Sequence, residues 1–257
     1  MTKRWVVFLF GCVAYALFLV SFLYAVGFVG GFGVPTALDG PAAEGVATAL
    51  AVDGLLLALF ALQHSIMARP WFKALATRVV PSAAERSLYV LASSVALLLL
   101  FWQWRPIGGT VWALESPAAR AAMHLVFAAG WATVLVTTFL INHFDLFGLR
   151  QVWLFLKGRA YTPLRFTTPG PYRHVRHPLY VGWLLAFWAT PTMTAAHLFF
   201  AAMTTAYILI AIRFEERDLE DLHGAPYAEY RRRVPMLVPR PGAKAPPVPA
   251  PPHAALR

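Results

Sequence analysis

The chain has 257 residues, of which 59% are hydrophobic and 13% charged, with a formal net charge of +10. A soluble domain carries about 25% charged residues, so this composition excludes an ordinary water-soluble fold and points to contact with lipid. The positive charge sits in a few loops rather than in a basic stripe interleaved with exposed aromatics, which argues against nucleic-acid binding.

Six apolar stretches follow in chain order. The first, Trp5 to about Gly30, comes after Lys3-Arg4. It exceeds the roughly 7–15 residues of a signal-peptide core and reads as a retained anchor. Its Cys12, the single cysteine, excludes an intrachain disulfide and a cysteine-based metal site, and reads as a small buried hydrophobe. Val46 to Met67, Leu88 to Trp104 and Ala121 to Asn142 each approach the ~20 residues that cross a bilayer core. The fifth, Leu179 to Thr190, spans only about 12 residues, roughly 18 Å of helix, before Pro191. Thr192 to Ile212 then returns at nearly full length. The pattern predicts an all-α polytopic transmembrane bundle of five to six spans, the last two forming a helical hairpin. Four functional segments follow: a four-span bundle over 1–142, a connector over 143–178, the hairpin and its cytoplasmic extension over 179–239, and a Pro/Ala-rich disordered tail over 240–257.

Basic residues set the expected orientation. Loop 68–87 carries Arg69, Lys73, Arg78 and Arg86 against Glu85, and loop 143–178 carries six Lys or Arg against Asp145. Loop 31–45 has Asp39 and Glu44 and no basic residue, and loop 105–120 is nearly balanced. The positive-inside rule puts both termini in the cytoplasm, with the basic loops.

Two segments carry candidate chemistry. The run Gly170 to Gly182 contains Arg176, His177, Pro178 and Tyr180 at the start of the hairpin. Pro178 suits a first helical turn, whose free N–H groups favour a carboxylate. Gly182 permits close approach by a ligand or another backbone. An ordinary basic flank and a His174/His177 metal pair are the alternatives there. Glu215 and Glu216 stand where the last helix leaves the membrane, a costly place for carboxylates without a cationic or hydroxyl partner. A solvated amphipathic helix is the alternative reading.

Together, Arg176-His177-Pro178-x-Tyr180-x-Gly182, Glu215-Glu216-x-x-Leu219 and Tyr227-x-x-Tyr230-x-x-x-Val234-Pro235 resemble the isoprenylcysteine carboxyl methyltransferase and phospholipid methyltransferase superfamily. The resemblance covers roughly residues 165–239. It implies an S-adenosylmethionine pocket between the hairpin and the C-terminal segment. Arg176 belongs to its motif, His177, Tyr180 and Gly182 would line the cofactor, and Glu216 or Glu215 would hold its amino or ribose groups. No metal is implied.

Further polar residues lie toward the same leaflet: Gln63-His64-Ser65, and the run Asn142 to Gln151 with His143 and Asp145. A core histidine and an ordinary helix terminus are the plain alternatives. Asp53 shares nearly one helical face with His64 and reads as an interhelical partner; His124 and His197 look structural. The Asn142–Gln151 run with His64 resembles a bacterial branch of the superfamily, the methanethiol S-methyltransferases, with NnrU-like membrane proteins as related. That resemblance implies a small volatile thiol as substrate, membrane lipid as surroundings, and no obligate protein partner. It also implies a bacterial cytoplasmic membrane, with the active site on the cytoplasmic side. His64 or His143 is then the expected base, with Asp145 orienting the imidazole and stabilising its charged form. Another lipophilic acceptor, or a non-catalytic role, remains the alternative.

Overall fold

The computed structural model describes residues 1–42 and 44–242. From residue 243 onward the expected tail lies outside the described residues.

Five helices are long and apolar enough to cross a membrane: α1 (Thr2–Gly30), α2 (Val46–Ala68), α4 (Ser82–Gln103), α5 (Pro117–Ile141) and α9 (Ala195–His223). The chain is an integral membrane protein of mainly helical build. Short helices connect or follow the spans: α3 (Pro70–Ala76), α6 (His143–Leu146), α7 (Leu149–Leu156), α8 (Pro178–Trp188) and α10 (Ala225–Arg233). The outer faces carry exposed Leu23, Leu55, Leu62 and Leu125. Apolar side chains so fully uncovered are stable only against lipid.

α8 and α9 form the hairpin that Pro191 announced. Their connection departs from a purely helical reading, because Thr192–Thr194 (β2) pairs antiparallel with Thr110–Ala113 (β1). Pro191 ends helical hydrogen bonding, and the Thr192-Met193-Thr194 run suits extended backbone. Thr194 then caps α9, its Oγ1 accepting from the His197 amide at 3.1 Å. His197 and Asp53 are buried at this end. His197 lies 3.0 Å from Asp39 and 2.9 Å from the Phe187 carbonyl. Asp53 accepts the Arg105 amide at 2.9 Å, tying α2 to the end of α4.

The spans close into a ring. α1 packs on α4, α4 on α2, α2 on α9, α9 on α8 and α8 on α5. α5 returns to α1 through Trp131 edge-on to Phe22, with ring centres 5.3 Å apart. Toward the β1/β2 end, the interior is filled by Phe28, Leu100, Phe101, Trp104, Phe187 and Phe200. At the opposite end, polar side chains face one another.

Candidate active site

The first polar group is built where α8 begins. Residues 172–177 are clasped by the C-terminal segment. The Arg176 amide donates to the Pro235 carbonyl at 2.9 Å, His177 N–H to that of Met236 at 3.2 Å, and Tyr230 O–H to that of Tyr172 at 2.6 Å. Arg176 Nε donates to Glu216 Oε1 at 2.6 Å, and its Nη1 reaches the carbonyls of Arg231 and Val234. His177 Nε2 lies 3.0 Å from the same Glu216 oxygen, and Arg231 Nε stands 3.3 Å from the other. Glu216 is therefore consumed as the knot joining α8, α9 and α10.

Its neighbour is placed differently. Glu215 Oε2 accepts the Tyr180 O–H at 2.8 Å, and the side chain is 43% exposed. A carboxylate has about four acceptor sites, so most of Glu215's capacity is unspent. Tyr227, buried beside these carboxylates, has a hydroxyl without a partner among the described residues. Burial and the charges of Glu216 and Glu215 push that phenol above its ordinary value, keeping it a donor. Tyr172 is also raised, by burial and then by the charge of Glu215. Of the two carboxylates expected to hold the cofactor, Glu215 has the room, and Glu216 is saturated.

Gly182 has another use. A Cβ there would stand 2.8 Å from Val134 N and 2.9 Å from Gly130 O, while one at Gly130 would stand 2.6 Å from Ala186 N. The two glycines let α5 and α8 touch backbone to backbone. Close approach by a ligand or another backbone was expected at Gly182, and the backbone of α5 meets it.

The second group centres on His64 of α2. Nδ1 lies 3.1 Å from Ser93 Oγ, and Nε2 lies 2.7 Å from the Tyr89 hydroxyl of α4. Phe60 stacks on the ring at 5.2 Å, and Ser65 meets Tyr207 of α9 at 3.3 Å.

The third group is the turn after α5. Asn142 has φ +97°, a conformation Asn tolerates better than most residues, and its Oδ1 accepts the Asp145 amide at 3.1 Å. The corner turns His143 inward, to 3% exposure. His143 Nδ1 lies 2.8 Å from Thr138 Oγ1, Nε2 lies 2.9 Å from the Tyr15 hydroxyl, and Phe139 is stacked on the ring at 4.2 Å. Burial lowers its pKa, so the ring is neutral near pH 7. Asp145 does not orient it. Asp145 pairs with Arg150 at 2.7 Å and accepts from Tyr161 at 3.3 Å, leaving Thr138 to hold the imidazole. Gly148, at φ +86°, passes so close to Ser87 that a Cβ would lie 2.7 Å from its hydroxyl, which seats the turn beneath α4.

The sequence reading missed Tyr15, Tyr89, Tyr207, Thr138 and Ser93. A signal was present for the tyrosines: a phenol within a span needs a hydrogen-bond partner once buried. Among the described residues, no group of three or more His, Cys, Asp or Glu is placed to hold a metal ion.

Residues 120–225 match the phospholipid methyltransferase family model. The chain is 55% identical to a methanethiol S-methyltransferase of Crocosphaera subtropica, over 95% of each chain. It is 52% identical to one of Mycobacterium tuberculosis, over 93% of this chain and 98% of that one. Identity to methanethiol S-methyltransferase 1 of Bradyrhizobium diazoefficiens is 51%, over 92% and 83%. No solved structure matches.

Proposed function

The chain belongs to the methanethiol S-methyltransferase family, and from that premise we propose that it transfers a methyl group from S-adenosylmethionine to methanethiol, releasing dimethyl sulfide. The observation that carries this reading is likeness to such enzymes across more than nine-tenths of this chain. The polar end of the ring supports it with groups suited to both reactants.

The cofactor offers donors, namely an α-ammonium and two ribose hydroxyls. Glu215 offers unspent acceptor capacity that fits them, with the Tyr180 hydroxyl bonded to it and the unpartnered Tyr227 hydroxyl as a donor nearby. Arg176, His177 and Glu216 hold the wall of that pocket by fixing the C-terminal segment over the start of α8. Bound there, the cofactor supplies a sulfonium methyl. The residues bring the thiol in line with it and remove the thiol's proton. Positioning alone is worth several kcal/mol, about 7 or more where alignment is good. A free Cys thiol, with pKa near 8.5, is mostly protonated at pH 7, and a simple alkanethiol is less acidic still, so a base has work to do. His64 and His143 are the candidates. Asp145 serves by bracing the His143 turn through Arg150.

The functional division follows. Residues 1–142 supply the thiol side, 143–178 connect, and 179–239 form the cofactor side. The positive-inside rule supports a cytoplasmic location for this end in a bacterial cell, with the apolar product leaving through lipid.

Purified protein in detergent, given S-adenosylmethionine and methanethiol, tests the reading by headspace detection of dimethyl sulfide. Product that needs both reactants supports it. Cofactor binding without product would redirect the search to other lipophilic acceptors.

A further inference from the structure

Neither candidate histidine offers a free nitrogen. His64 has Ser93 at Nδ1 and Tyr89 at Nε2, with Phe60 across its face. His143 has Thr138 at Nδ1 and Tyr15 at Nε2, with Phe139 across its face. In each case Nε2 ends on a tyrosine hydroxyl, which gives a substrate proton a route to the imidazole by way of that phenol.

The two phenols differ in what surrounds them. Tyr15 packs among Phe18, His143, Phe144 and Phe147. Tyr89 lies within electrostatic reach of Glu215, Tyr207 and Tyr180, the groups on the cofactor side. The Arg86 guanidinium lies over the Tyr89 ring, 5.5 Å from its centre, and has no carboxylate partner among the described residues. An unpaired cation beside the phenol favours negative charge on whatever atom sits there.

We propose that Tyr89 is the catalytic residue that touches the thiol, relaying its proton to His64. This rests on the methyl-transfer reading above. Ser93 Oγ already accepts from Gln63 Nε2 at 3.3 Å. The relay uses the tautomer in which His64 Nδ1–H donates to that same oxygen and Nε2 accepts the Tyr89 proton. The step balances as follows. The thiol S–H bond breaks and its proton passes to the Tyr89 oxygen, while the phenol's own proton passes to His64 Nε2. The sulfur electron pair forms the new S–C bond with the sulfonium methyl, and the old S–C pair stays on the departing thioether. His64 leaves the step as an imidazolium and returns its proton to water. Arg86 favours the developing thiolate and disfavours a lasting imidazolium, so the charge is passed on.

The test is Tyr89→Phe, which keeps the ring, assayed beside wild type for dimethyl sulfide and for S-adenosylmethionine binding across pH. General acid–base groups contribute about 10²–10⁴-fold. Near pH 7 the variant is expected to lose at least about a hundredfold in kcat with cofactor affinity unchanged. The defect should shrink as pH rises toward thiol ionisation, because preformed thiolate needs no relay. Arg86, Arg69, His64, Glu215, Tyr180 and Tyr207 lie around the phenol, and all are intact in this variant. A normal rate, or a loss equal at every pH, overturns the relay while leaving the methyltransferase reading intact. A wild-type protein that makes no dimethyl sulfide overturns that reading itself, and the relay with it. Should Tyr89→Phe unfold, 3-fluorotyrosine at this position keeps the shape and makes the phenol more acidic. A shifted rate–pH profile is then expected, and an unshifted one overturns the proposal.

Discussion

His143 Nδ1 stands 2.8 Å from Thr138 Oγ1, and because the Thr138 hydroxyl donates to the Leu135 carbonyl at 2.7 Å, it accepts from the imidazole. The ring is thereby held as the Nδ1–H tautomer, with Nε2 accepting the Tyr15 hydroxyl at 2.9 Å. Burial lowers the His143 pKa below its ordinary 6.5. The unfolded chain therefore binds this proton more tightly than the folded one. Its contribution to stability is complete above about pH 6.5 and is lost as pH falls through the lowered folded value. Thermal unfolding of wild type should fall in temperature from pH 7 toward pH 5. His143→Gln, which cannot titrate, should show a smaller fall; an equal fall would assign the acid sensitivity elsewhere.

Glu215 and Glu216 should separate two effects. Glu216→Ala strips the carboxylate from Arg176, itself only 11% exposed, and breaking such a buried pair costs about 3 kcal/mol. The unfolding temperature should drop sharply. Glu215→Gln spares that knot and should leave the unfolding temperature nearly unchanged while weakening S-adenosylmethionine binding about tenfold, as calorimetry would measure. The reverse pattern would exchange the two roles.

Gly182→Ala places a methyl against the Gly130 carbonyl and the Val134 amide of α5. Overpacking of this kind costs about 1–3 kcal/mol. Gly45→Ala, where no atom lies within 4 Å of the added carbon, serves as the control. Denaturation in detergent should show a loss at 182 and little change at 45.

Asn142→Gly should keep the corner, since glycine adopts its +97° φ freely, whereas Asn142→Val should not. In the methyl-transfer assay the glycine variant should retain most activity, and the valine variant should lose at least about tenfold through displacement of His143. Equal rates would show that the corner does not position the site.

The spans, the hairpin and its proline were legible because hydropathy and one Pro carry them directly. That Glu215 and Glu216 need a cationic or hydroxyl partner was legible because a carboxylate at a membrane border is costly without one, whereas Arg176, His177 and Tyr180 were singled out by their motif. Which carboxylate was spent, which surface Gly182 faced and what held His143 were not legible. Each depends on contacts between distant segments: Arg231 on Glu216, Gly130 on Gly182, Tyr15 on His143. The β1/β2 pairing was hidden for the same reason, since Thr110–Ala113 has no partner until α8 and α9 fold back.

The most direct test follows the methyl group itself. Protein reconstituted in vesicles of phosphatidylethanolamine is given methyl-labelled S-adenosylmethionine and methanethiol together, and the label is measured in the headspace and in the extracted lipid. Label in dimethyl sulfide, with none above background in the lipid, is the predicted result. Label in the phospholipid headgroup, with no volatile sulfide, would contradict the account.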